Sequence, residues 1–549
     1  MKNPSRFLAL FPLFLGCLLG FADDGIPVLR GPFRGDGLAF FFVHPGGPLK
    51  LDVTVHPDGQ AKFPKALVRF FDSSEKLVGW NYDPLVPGKP ATFSQTYAEQ
   101  SPAGVYQVRT SLVEATCDVA ATPARSFAVM PSRCRLVATD KDQFKEAYLV
   151  VTENAPDKVY LKHAFGTWKL WTPDGKLLLE NMETGHLSKE LETSELRGKI
   201  LKLSMFAGSP NQSYIAASQM PLFLSPSESC AQAVGSSLNK ASDGSLHPFP
   251  YQCRIKDFVS SLKRDDLEVE IVPMRSLKSE WEREPNARAL IDQAFRYVNP
   301  ILSRQVIDPG HPDFGKVPGN NFVALARIAS LNRPINPYYR NPAIINRALL
   351  GLFAKYLTFH ENETVQNDEN NYNGTDALFC AFEISQAVSF LVPVLDDEMR
   401  DLAIEGIQRL ADRFPFYHVS CENQSSHWLM TFQFLEEVAP KFGDYARLAR
   451  DYAVNLTDPE RNIYMKTGYQ REANGPDATY QGLTNCIQAL YYRKTQDQVI
   501  LDGLKKIIGL MNHSVAPEPD GGRIIGSSGF AHRTGDMGSA PISWRNHVA

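Results

Sequence analysis

The spacing of apolar residues along the chain changes character once. From Asp23 to about Ser225 they fall in short runs rich in β-branched and aromatic side chains, such as Leu49-Lys-Leu-Asp-Val-Thr-Val55 and Val105-Tyr-Gln-Val-Arg-Thr-Ser-Leu112. Turn residues separate the runs. In Pro57-Asp58-Gly59 and Pro173-Asp174-Gly175 proline fixes one backbone dihedral and glycine accepts the next. Alternation on this scale predicts half-buried antiparallel strands. A break near Pro131 divides them into two sets, expected to form two β-sandwiches over residues 23–130 and 131–225. Residues 226–284 are Ser-, Asp- and Lys-rich and are expected to be a linker lying against its neighbours, with one strand at Leu267 to Val272.

After Pro285 the period becomes helical. Helices are predicted at about 286–304, 320–331, 342–359, 375–393, 397–412, 426–438, 442–455, 478–493 and 498–513. Asn341-Pro342, Thr375-Asp376 and Asp497 mark helix starts, because their side chains can cap the first free amides. The helices alternate in kind. Those opening at Phe322, Leu378, Trp428 and Leu483 are broadly apolar, whereas intervening ones such as Asp396 to Arg413 are amphipathic.

Each apolar helix opens on a polar cluster. Asn320-Asn321, then Asn371, Asn373 and Asp376, then Asn423 with His427, then Tyr480, then His532-Arg533 recur about every 52 to 54 residues. A repeat of this length is expected from stacked helical hairpins with all clusters on one rim. The predicted fold is therefore multidomain β + α: N-terminal β-sandwich modules, then an α/α toroid of helical hairpins over 285–549, with its last turn incomplete.

Composition narrows the setting. Lys2, Arg6 and an apolar run from Phe7 to Leu19 resemble an export signal over residues 1–22, cut after Ala22. Lipid anchoring at Cys17 is the alternative. The expected location is secreted or periplasmic, and no later segment is apolar enough to span a membrane. The 57 basic and 61 acidic residues give −4, and loss of Lys2 and Arg6 takes this to −6. That balance argues against nucleic acid as a partner. No CxxC, HExxH, Gly-x-Ser-x-Gly or phosphate-binding glycine loop occurs, so neither a metal nor a cofactor is expected. Cys230 with Cys253, and Cys117 with Cys134, are possible disulfides in an exported protein, while Cys380 and Cys486 sit in apolar helical patterns as buried thiols.

Asn423 with His427 opening one helix, and Tyr480 in Asn474-Gly475-Pro476-Asp477-Ala478-Thr479-Tyr480-Gln481-Gly482 opening the next, resemble the α/α-toroid polysaccharide lyases that act on alginate, heparin and chondroitin. Asn336-Pro337-Tyr338-Tyr339 before Pro342 is similar to that group's early hairpins. The resemblance covers residues 285–549. Several of these lyases place Asn directly before the His, whereas here Gln424-Ser425-Ser426 intervenes.

The resemblance implies β-elimination on an acidic polysaccharide, and the chemistry suits the same side chains. The proton at C5 of a uronate is weakly acidic until donors hold the carboxylate and favour the enediolate. Tyr480 is the candidate general acid, and also a candidate base. His427 is a candidate base or carboxylate neutraliser. Asn423, Asn371, Asn373 and Arg533 are candidate carboxylate and sugar contacts, and Asp477 and His532 are candidate cleft residues. Structural roles compete with each of these. His427 can be a helix histidine satisfied by a backbone carbonyl, Tyr480 a rim aromatic, and Asn373 and Asp376 mere caps. Two other functions stay open: a toroid glycoside hydrolase with Asp376 and Asp477 as its carboxyl pair, with Glu472 and Glu422 in reserve, and a non-catalytic carbohydrate-binding surface protein.

Overall fold

The computed structural model describes residues 31–512 and 515–525, apart from 35–37, 63, 130–135, 154, 156, 165, 183–186, 208–213, 218–221, 240–249, 273–296, 316–321, 335, 362–373, 412–421, 441–444, 471–477 and 518–522. The strands of the first half are β1 Leu38–His44, β2 Leu49–Pro57, β3 Lys65–Phe71, β4 Leu77–Pro84, β5 Ala91–Tyr97, β6 Gly104–Val113, β7 Ala115–Thr122, β8 Phe127–Val129, β9 Leu136–Val137, β10 Ala147–Val151, β11 Lys158–Ala164, β12 Gly166–Trp171, β13 Leu177–Asn181, β14 Leu187–Glu192, β15 Ile200–Ala207, β16 Tyr214–Ala217 and β17 Leu222–Ser225.

All pairings are antiparallel. Ten strands form one sheet in the order β13-β12-β15-β10-β17-β8-β1-β6-β3-β4. A three-stranded sheet, β5-β2-β7, and a four-stranded one, β14-β11-β16-β9, complete the β-rich half. Alternation does the work locally. Leu49, Leu51, Val53 and Val55 of β2 point into the core while Lys50 is exposed. The β-rich half has the predicted sandwich architecture, but its two sets of strands are not separate bodies. β8 pairs with β17 through Val129 and Leu224, so one sheet runs through both, over one apolar core from Phe33 to Leu224. Cys117 lies in that core as a free thiol, its pKa pushed up to about 12 by burial, and Cys230 is also a free thiol, so neither forms the suggested disulfide.

The segment expected to be a linker is partly helical. It contains α1 (Glu228–Asn239) and α2 (Pro250–Ser261), and Leu267 to Val272 is not a strand. Ala231, Val234 and Leu238 of α1 pack on Ala39, Phe41, Val105, Ala128, Val150 and Phe223, so α1 covers the seam on the outer face of the ten-stranded sheet. The short β8–β17 pairing supplies few hydrogen bonds, and this apolar contact reinforces it.

The second half holds the hairpins α3 (Phe322–Ser330) with α4 (Pro342–Glu361), α5 (Gly374–Leu391) with α6 (Asp397–Ala411), α7 (Glu422–Val438) with α8 (Tyr445–Thr457), and α9 (Ala478–Thr495) with α10 (Gln498–Asn512). Residues 297–304 are also helical, inside the predicted 286–304. The starts are capped as their sequences require. The Asn341 carboxamide oxygen accepts from the amides of Ala343 and Ile344 at 3.0 and 3.3 Å, and Asp497 accepts from Val499 at 3.1 Å. In the turn between α3 and α4, Asn336 donates to the carbonyls of Ile328 and Leu331.

The inner helices α3, α5, α7 and α9 pack side by side in that order, and α4, α6, α8 and α10 lie outside them. On α8 the buried residues Tyr445, Leu448, Ala449, Tyr452, Ala453 and Leu456 follow the three-four spacing of a one-faced helix. This is the predicted alternation of inner and outer helices. The helical half also packs on the sheet. Leu67 and Tyr82 belong to its core, Trp80 lies edge-on to Tyr445, and Asp451 of α8 binds Lys65 at 2.9 Å and the Tyr82 hydroxyl.

Candidate functional site

The inner helices run parallel. Ser426 of α7 meets Gln488 of α9 at 3.3 Å, and further along Glu437 of α7 meets Lys494 of α9 at 2.8 Å. The contacts follow the same order along both helices, so the starts of α7 and α9 lie at the same end of the bundle, with α9 beginning about six residues, ~9 Å, further out. His427 likewise packs on Phe379 and Phe382, in the second and third turns of α5.

The helix α7 starts four residues before the predicted start at 426. Glu422 begins it, and Asn423, Ser426 and His427 already lie within it. Each of three side chains turns back on its own helix. Ser426 donates to the Glu422 carbonyl at 3.1 Å, His427 Nδ1 donates to the Asn423 carbonyl at 2.7 Å, and Thr431 donates to the His427 carbonyl at 2.9 Å. These bonds let hydroxyls and an imidazole sit inside the bundle without leaving donors unmade.

His427 is 4% exposed. Two phenylalanine rings stand edge-on to its imidazole, with centroids at 4.7 and 4.9 Å. Burial disfavours the imidazolium and lowers its pKa to about 4, against the opposing pull of the Asn423 carbonyl. The ring is therefore neutral near pH 7. With its Nδ1 proton on that carbonyl, only the Nε2 lone pair remains. Asn423, 2% exposed, is buried beside it.

Depth separates the two proton-moving candidates. Tyr480 is the third residue of α9, and the α9 residue level with Ser426 is Gln488, eight positions later. Eight residues of helix span ~12 Å. The Tyr480 backbone thus stands at the rim and His427 well beneath it. Asn371, Asn373, Asp477, His532 and Arg533, with Glu472 of the hydrolase alternative, lie outside the described residues. Asp376 is the third residue of α5.

Buried amides also tie the segment after α8 to α7 and to α9. Asn462 donates to Glu422 at 2.8 Å, and Gln481 accepts from the Gln470 backbone at 3.0 Å and donates to its side chain at 3.1 Å. Gln488, fully buried, has a carbonyl oxygen with no partner. Sequence reading passed over these glutamines because each looks like an ordinary surface residue of a helix.

It also passed over Glu383 of α5. This side chain is half-buried and one carboxyl oxygen, Oε2, is enclosed without a hydrogen bond. Burial raises its pKa to about 7, with Lys355 pulling the other way. The available signal was a lone carboxylate within the apolar run Leu378-Phe-Cys-Ala-Phe-Glu-Ile384. Among the described residues, no group of three or more His, Cys, Asp or Glu is placed to hold a metal, and no helix is long and apolar enough to cross a membrane.

No protein-family model matches the chain, and no curated protein matches it. Among solved structures, the N-terminal CBM22-1–CBM22-2 tandem domain of Xyn10C from Paenibacillus barcinonensis matches at 10% identity, over 33% of this chain and 72% of that one, with a TM-score of 0.10. A likeness that weak carries no argument about this chain, whose fold rests on the pairings and packing above.

Proposed function

We propose that this is an exported polysaccharide lyase that cleaves a uronate-containing glycan by β-elimination, with Tyr480 as its proton-moving residue. The observation that carries the reading is the parallel packing of the inner helices, which sets the polar starts of α7 and α9 at the same end of the bundle. In the reaction Tyr480 starts as its phenolate, a form that nearby cations favour; its oxygen takes the C5 proton and the C5–H pair becomes the C4=C5 double bond. The C4–O bond breaks, and the leaving oxygen takes the proton back from Tyr480. Nothing else is consumed.

The depth and low basicity of His427 assign it a different part. It is a positioning residue, neutral and packed under the rim, that fixes the first turns of α7 against α5. Asn423, Asn371, Asn373 and Arg533 are the proposed contacts to carboxylate and sugar. The test is incubation with alginate, chondroitin, heparin and pectin. Ultraviolet absorbance from an unsaturated uronate supports a lyase, and new reducing ends without absorbance exclude it. Tyr480→Phe is expected to lose ~100- to 10,000-fold in turnover.

One observation favours a second reading. A glycoside hydrolase needs a carboxyl group that stays protonated near neutrality, and Glu383 has its pKa raised to about 7. Asp376 lies seven positions earlier on α5. In that case Glu383→Gln, and not Tyr480→Phe, abolishes release of reducing ends.

A further inference from the structure

The outer face of the ten-stranded sheet has three zones. The β3–β4 end lies under the helical half, and the seam lies under α1. In the third zone, β15, β12 and β13, α1 reaches only the Ile200 end of β15, and Lys202 and Phe206 beyond it are exposed. Its inward residues Trp168, Leu170, Leu201, Leu203 and Met205 are core. The outward residues alternate with them, and cross-strand partners share the face: Phe206 with Thr167, Ser204 with Lys169, and Lys202 with Trp171. Phe206 is 51% exposed, and Trp171 is half-buried beside the exposed Leu177 of β13.

The covered seam shows what this sheet presents where protein lies on it: Ala39, Phe41, Val105, Ala128, Val150 and Phe223, without a charge. The open zone has a different composition. Its aromatics stand at the two ends of a polar strip, four residues apart along β15, which is roughly 13 Å. Between and around them are two exposed ion pairs, Lys169–Glu180 at 3.3 Å and Lys202–Glu146 at 3.2 Å. Lys176 and Lys199 stand near Asp174, whose carboxyl is held low by a Thr172 hydrogen bond and by these two lysines. Lys169, Lys176, Lys199 and Lys202 stand there with Glu146, Asp174, Glu180 and Glu228, so both signs of charge are present.

Separated flat rings with hydrogen-bonding groups between them suit the alternating C–H faces and hydroxyl edges of a sugar chain, and not a continuous apolar protein surface. From this we infer that the open face of β12, β13 and β15 is a binding platform for an oligosaccharide segment. Phe206 and Trp171 stack on sugar rings, and Lys169 and Lys202 bond to hydroxyls or carboxylates. The choice of an acidic polymer rests on the function proposed above, whereas the platform itself does not.

The test is affinity electrophoresis of the full chain, carrying Tyr480→Phe to prevent turnover, through gels containing alginate, pectate, chondroitin sulfate or a neutral glucan. Retardation by a uronate polymer is expected, and Phe206→Ala with Trp171→Ala should weaken it about tenfold or more. Trp171→Phe should restore most of the loss, and an unchanged thermal midpoint should show that the fold is intact. Phe206→Ala alone, at an exposed position, keeps the test readable if the Trp171 change disturbs folding. Unaltered retardation in that single and in the double variant overturns the inference. So does the absence of retardation by every polymer, or a dimer of the parent that the double variant abolishes. Binding without turnover would end the lyase reading and leave the platform standing; turnover with unaltered binding would do the reverse.

Discussion

At the scale of single residues, His427 and Glu383 titrate in opposite senses. His427 is buried neutral, with its pKa lowered to about 4. Between about pH 4 and pH 6.5 the unfolded chain binds more protons, so stability rises with pH through that window. Glu383 has its pKa raised to about 7. Between about pH 4.5 and pH 7 the folded chain binds more protons, so stability falls as pH rises. The two slopes oppose each other over most of a common range. Each variant is therefore expected to unmask the other. Glu383→Gln should leave stability climbing from pH 4 to 6.5, by on the order of 2–3 kcal/mol if the full His427 shift is expressed. His427→Asn, which keeps a donor for the Asn423 carbonyl, should leave stability declining from pH 4.5 to 7. Urea denaturation across pH 4 to 8 measures both, and parallel profiles for the two variants would refute these assignments. His427 as a residue was legible in the sequence, but its depth was not. Depth follows from three side chains bonding back to their own helix carbonyls, a choice that Glu422-Asn-Gln-Ser-Ser-His427 does not announce.

At the scale of elements, boundaries were legible where a cap has a local cause. Asn341-Pro342 and Asp497 start helices because their side-chain oxygens reach the next free amides. Asn341→Ala is expected to cost about 1 kcal/mol and lower the midpoint of the helical half by about 2–4 °C; calorimetry of the full chain reads this, and an unchanged midpoint would contradict it. Boundaries set by tertiary contact were not legible. α1 forms because Ala231, Val234 and Leu238 find an apolar seam, and a Ser-rich stretch gives little local sign of that. Leu267 looked like part of a strand because it is apolar, but it is fully buried beside Leu262 and Leu350 in a non-strand segment. Inner and outer helices were distinguishable from sequence because a helix enclosed by neighbours is apolar all round.

At the scale of the molecule, the sandwich architecture was readable and the fusion of its two sets of strands was not. The β8–β17 pairing joins Val129 to Leu224, and no local pattern in either strand specifies a partner so distant in sequence. The docking of the two halves was equally hidden. Lys65, 8% exposed, looks like a surface residue until Asp451 is placed against it. Asp451→Ala leaves Lys65 without its carboxylate and removes the acceptor of the Tyr82 hydroxyl. The expected cost is about 2–3 kcal/mol, below that of a fully buried pair because Asp451 is partly exposed. Unfolding should then split into two steps as sheet and helices uncouple, and a single transition at the parental midpoint would rule out this contact as the coupling element.

The claim that most of this account serves is that Tyr480, at the rim of parallel inner helices, moves a proton in a β-elimination. The most direct measurement is the product mass from the uronate polymer that the chain degrades best, compared with Tyr480→Phe. The account predicts fragments lacking one water at the new non-reducing end, formed by the parent chain and nearly lost in the variant. Fragments carrying the full water, or equal yields from both proteins, would contradict it.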